Sequence, residues 1–201
     1  MREFAAFAGK HVRSSIFPLF LFAAMGLTRL STLGLPRYDL LLALSVGMQA
    51  YMVWSGLETL NELKMICAFH VLGLGLELYK VSHGSWTYPE AGFKIGDVPL
   101  YSGFMYASIA SYMMQGWRHF ELELVRWPKW PWLVGAGLAI YANFFIARHF
   151  GDSRWWIIAF LGILFFRTSV QFSTLPGKRR QMPVLLAFFL IGSSTTRRKN
   201  I

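Results

Sequence analysis

Apolar runs near the length of a bilayer crossing constrain this chain more than any other feature. A membrane-spanning helix needs about 20 mostly apolar residues, and six windows approach that: 16–35, 39–57, 63–81, 99–117, 131–149 and 155–173. Prolines fall between or at the edges of the windows, at Pro36, Pro99, Pro128 and Pro131, as expected where helices begin. Trp127, Trp130, Trp132, Trp155 and Trp156 sit at window edges, the level at which indole rings favour lipid headgroups. No window alternates with period two, so a β-barrel is disfavoured. Composition agrees: 15% of the residues are charged and mean hydropathy is +0.41, against about 25% charged in an ordinary soluble domain.

The sequence therefore predicts an all-α, polytopic transmembrane helical bundle of about six spans plus an incomplete seventh. Residues 1–192 form one integral membrane domain and 193–201 a polar, basic tail. The seventh run, Met182–Gly192, stops at about half the required length. It is either a short interfacial helix or the mark of a truncated or frame-shifted chain, and the change of composition within a helical pattern favours truncation. The net charge of +10 comes from basic residues scattered between apolar runs, without a basic stripe. Orientation at a lipid bilayer explains it better than nucleic acid. Counting Lys and Arg on alternate sides of six spans places the amino terminus in the cytoplasm of a bacterial inner membrane. Cys67 is the single cysteine, which excludes an internal disulfide and suggests a buried, inert thiol.

Ionisable residues at bilayer depth are costly and ask for partners. On one helix from 58 to 81, Glu58, Glu62, His70, Gly73, Glu77 and Lys80 project onto a common face. Glu77 and His70 are candidate catalytic groups, with Glu90 in the following loop; a carboxylate at a low-dielectric boundary can serve as general acid or base. Trp86 and Tyr88 in that loop join Glu62, Lys80, Tyr101, Tyr112 and Arg167 as candidate binding residues. The plainer reading makes Glu77 and Lys80 an ion pair at a helix end, Lys80 snorkelling. It gives His70 a backbone carbonyl to hold, and treats the Trp86 loop as an aromatic belt. Arg167, which cannot shed its charge, either reaches the interface or pairs with an acid such as Glu77. The five histidines lack metal-ligand spacing, so no metal site is predicted. No nucleotide or serine-hydrolase glycine motif is present, and no cofactor is specified.

Several stretches carry a resemblance: Leu35-Pro36-Arg37-Tyr38-Asp39, Glu58 to Lys64, Phe69 to Leu74, Leu76 to Lys80, Gly84 to Glu90, and Val98 to Tyr106. Together they resemble the bacterial integral membrane proteins grouped as domain of unknown function 817. The similarity runs from about 16 to 192 and is most specific over 84–106. It implies a helical membrane protein without an agreed activity, and family members that continue beyond the seventh run. A looser similarity, to membrane enzymes of carotenoids and other isoprenoid lipids, implies that Glu77 or Glu90 exchanges a proton with a carbon chain. A lipid- or isoprenoid-modifying enzyme is thus the leading expectation. A small-solute transporter and a structural membrane subunit are the alternatives.

Overall fold

The computed structural model describes residues 1–32, 34–89 and 92–186, the side chains of 146–150 excepted. The chain divides into two compact units, one of Phe7–His119 and one combining Met1–Ala6 with the chain from Phe120 onward.

The first unit is helical: α1 (Arg2–Ser14, its first turn in the other unit), α2 (Ile16–Leu30), α3 (Arg37–Trp54), α4 (Leu60–Ser82) and α5 (Ser102–His119). A hairpin of two-residue strands, β1 (Lys94–Ile95) and β2 (Val98–Pro99), precedes α5. α4 begins with a capping box. Thr59 Oγ1 accepts the Glu62 backbone N–H at 3.2 Å, and the Glu62 carboxylate accepts the Thr59 N–H at 2.7 Å, so two orphan donors of the first turn are satisfied reciprocally. The helix ends where Gly84 takes the left-handed conformation, φ +68°, a geometry that costs glycine little. Two small clusters hold the unit together: Leu21, Ala24, Leu41 and Tyr101, and, between α4 and α5, Ile66, Ala107 and Ala110.

The α4–α5 contact is unusually close. A Cβ on Gly73 would overlap the ring of Tyr106, and one on Gly103 would lie 2.8 Å from the His70 backbone oxygen. Small residues let helix backbones approach; here each helix supplies one.

The second unit contains β3 (Glu123–Val125), α6 (Trp130–Phe150), α7 (Arg154–Phe165), β4 (Ser169–Leu175) and β5 (Lys178–Pro183). The strands form an antiparallel sheet in the order β3-β4-β5. Val125 pairs with Ser169, so α6 and α7 are an excursion between adjacent strands. Pro176-Gly177 makes the β4–β5 turn.

The predicted six-span all-α bundle is not what forms. Among the described residues one helix, α4, is long and apolar enough to cross a bilayer, or two segments if α1 and α2, bent by 61°, count as one broken span. The reasons are local. α2 stops after 15 residues at Leu30, where Ser31 turns extended. α3 and α5 reach 18 residues each, but α3 contains Arg37, Asp39 and Gln49, and α5 contains three serines, Gln115 and Arg118. The fourth window opens with the end of β2 rather than helix. α7 ends after 12 residues, and the tail of the sixth window is β4. There Val170 and Phe172 alternate with Gln171 and Ser173, a short period-two pattern concealed at the end of an apolar run. Of the expected partial seventh span, Met182 and Pro183 lie in β5. Residues 187–192 and the 193–201 tail lie outside the described residues. Cys67 is exposed on α4, not buried.

Candidate functional site

Glu77 lies on the second-last turn of α4 beside the α5 contact and is 3% exposed. After Gly84 the chain folds back along α4 and delivers two aromatic donors to that carboxylate. Trp86 Nε1 donates to Oε2 at 3.0 Å and the Tyr88 hydroxyl to the same oxygen at 2.7 Å. From α5, the Tyr106 hydroxyl donates to Oε1 at 3.0 Å. All three donors are neutral groups, and together they give both buried carboxylate oxygens a hydrogen-bond partner. The Tyr88 phenol is pushed up from its ordinary range, first by burial and then by the Glu77 carboxylate it donates to.

An aromatic row extends from this carboxylate. Tyr88 meets Tyr38 of α3 edge-on at 5.5 Å, and Tyr38 stacks on Tyr101 at 6.3 Å between ring centres. The Arg37 guanidinium stands 5.6 Å over the Tyr38 ring. Asp39, in the first turn of α3, accepts the backbone N–H groups of Gly92 and Phe93 at 3.0 to 3.1 Å. That carboxylate anchors the far end of the loop carrying Trp86 and Tyr88.

A second buried carboxylate, Glu58, 2% exposed, lies just before α4. It accepts from the Ser111 hydroxyl, from Gln115 Nε2 at 3.2 Å and from Gln49 Nε2. Glu62 pairs with Arg118 at 3.3 Å, and Arg118 donates to the Leu57 carbonyl at 2.6 Å. Nearby, an open apolar groove of about 410 Å³ runs along Val46, Gln49, Val53, Trp54, Leu63 and Phe104; none of the Glu77 donors lines it.

Of the residues expected at a site, Glu77, Trp86 and Tyr88 come together directly, and Tyr101 closes the aromatic row. His70, one turn of α4 before Gly73 and half-buried, packs edge-on against Phe104 at 4.5 Å. Its Nδ1 is buried with no hydrogen-bond partner among the described residues. Glu62 serves the capping box and Arg118 instead. Tyr112 contacts His11, hydroxyl to Nδ1 at 3.3 Å. Lys80 lies half-buried on the last turn of α4. Arg167 is exposed on the turn after α7 in the other unit. Glu90 lies outside the described residues. Sequence reasoning misses Tyr106, Tyr38 and Asp39, and it places Glu58 on the polar face without singling it out. Gly73, one turn from Glu77, is the signal that points to Tyr106: a glycine on that face leaves room for a large facing side chain.

A family model described as "Protein of unknown function (DUF817)" matches residues 3–200. The "Uncharacterized protein YoaT" of Bacillus subtilis (strain 168) is 49% identical over 195 residues, which cover 96% of this chain and 73% of that protein. No solved structure matches. The family match spans nearly the whole chain and includes every residue around Glu77: the protein is a member of the DUF817 family.

Proposed function

We propose that this DUF817 protein resides in the bacterial cytoplasmic membrane and acts on a lipid or isoprenoid chain, with Glu77 as the acid–base group. The state of Glu77 carries the reading: a buried carboxylate on the apolar helix α4, held by the neutral donors Trp86, Tyr88 and Tyr106. In its protonated form such a group can give a proton to a carbon–carbon double bond. As the carboxylate it can take one back from a neighbouring carbon, so that the bond moves and composition is unchanged. The rings of Trp86 and Tyr88, which donate to the same carboxylate, supply aromatic surface that suits the cationic carbon in between. Membrane residence is supported by surface. Little of α4 is buried within the chain, and Trp54, Trp156 and Ile163 are exposed; apolar surface on this scale marks contact with lipid or a partner.

The test is an extracted-lipid comparison of cells with the full-length protein, a deletion, and Glu77→Gln. The expected result is a lipid species lost in the deletion and in Glu77→Gln, with the variant still in the membrane fraction. Identical profiles in wild type and deletion reject the enzyme. A solute flux by the reconstituted protein, or a stoichiometric partner on purification, would then favour transport or a structural role respectively.

A further inference from the structure

The second unit carries its own chemistry at Arg126-Trp127-Pro128-Lys129-Trp130-Pro131-Trp132, the connection from β3 into α6. All three indoles are exposed, Trp130 by 72%. Arg126 and Lys129 are exposed as well, and neither takes part in an ion pair among the described residues. The cations on β5 differ. Lys178 and Arg180 both pair with Glu3 at 2.6 Å, and Arg179 pairs with Glu123 at 2.8 Å.

The strip is held in place. The Arg126 carbonyl accepts from Thr168 Oγ1 at 3.1 Å, Trp127 meets Phe165 edge-on at 5.5 Å, and Trp132 lies 6.5 Å from Phe160. The helical hairpin it leads into exposes Leu138 and Ile163, and Phe166 is exposed just after α7. Indoles favour the headgroup level of a bilayer, and basic side chains there attract anionic lipids over a Debye length. An acidic protein would satisfy the two cations but not three exposed indoles at the start of a hairpin that itself exposes apolar side chains.

We propose that residues 126–132 form a headgroup-level strip for anionic phospholipid, Arg126 and Lys129 meeting the lipid phosphate while the three indoles sit at the boundary. The inference rests on the proposed membrane residence. It adds the lipid class and the residues that select it.

The full-length protein is reconstituted in vesicles of phosphatidylcholine and phosphatidylglycerol, with brominated acyl chains on one lipid or the other at equal mole fraction. Tryptophan quenching is read as the difference between wild type and W127F/W130F/W132F. Brominated phosphatidylglycerol is expected to quench several-fold more than brominated phosphatidylcholine. That excess should disappear in R126Q/K129Q and should shrink in the wild type at high salt. The salt series is decisive even if the double variant does not fold. Equal quenching by the two lipids, or an excess indifferent to salt, overturns the anionic strip and leaves membrane residence standing. No quenching by either lipid overturns both.

Discussion

Gly73 of α4 and Tyr106 of α5 occupy one another's space: a Cβ on the glycine would lie 2.6 Å from the tyrosine Cβ and closer still to its ring. The same tyrosine reaches one turn along α4 to donate its hydroxyl to Glu77 at 3.0 Å. Helix proximity and carboxylate solvation are thus a single arrangement, because the absence of a side chain at 73 is what lets the Tyr106 ring lie close enough to serve 77.

Gly73→Ala should therefore push α5 away from α4. The new methyl would collide with the Tyr106 Cβ, which cannot move without its backbone, so relief requires a helix shift. Overpacking of this kind costs about 1–3 kcal/mol, and Gly103→Ala, against the His70 backbone, should cost a similar amount. Thermal unfolding in detergent measures both. Unchanged midpoints would mean that the helices stand further apart.

The three donors to Glu77 are not equal. Tyr106→Phe removes the donor to Oε1 and should destabilise by about 1–3 kcal/mol, the cost of leaving a buried acceptor short of a partner. Trp86 is 43% exposed, so Trp86→Phe should cost less, water replacing the lost N–H. Paired denaturation curves of the two variants check the order.

How much of this site is legible in the sequence follows from what each contact spans. Glu77, Trp86 and Tyr88 lie within twelve positions of one another, and helical projection with a glycine stop brings them into one neighbourhood. Asp39 reaching the amides of Gly92 and Phe93, and Glu58 reaching Ser111 and Gln115, cross more than fifty positions, and no local periodicity encodes such pairs. The strand Ser169–Leu175 is hidden for another reason. Its alternation is only a few residues long and follows closely on the apolar α7, so a window of bilayer length averages helix and strand together.

The capping box at the start of α4 offers a cleaner measurement. Thr59→Ala removes the oxygen that accepts the Glu62 N–H and should cost about 1 kcal/mol. Thr59→Ser keeps the acceptor and should remain near wild type. Unfolding midpoints of both variants at neutral pH decide it.

At the amino end, Glu3 is held well below its ordinary value of 4.5, at about 2, by hydrogen bonds from Lys178 and then Arg180. Because the folded value is the lower one, this contribution is fully present above pH 4.5 and fades as pH falls toward 2. Glu3→Gln should lower the unfolding midpoint at pH 7, and its gap from wild type should close across that acid window. A gap that stays constant as the pH is lowered through the window would show that the pairs are not formed.

The pairing of Val125 with Ser169 has a practical side. Since the polypeptide leaves the sheet and rejoins it at facing positions, everything from 126 to 168 is tethered at a single doorway. A short turn grafted across that doorway should leave the three strands able to zip together alone, making the helical excursion a cassette that can be lifted out or exchanged.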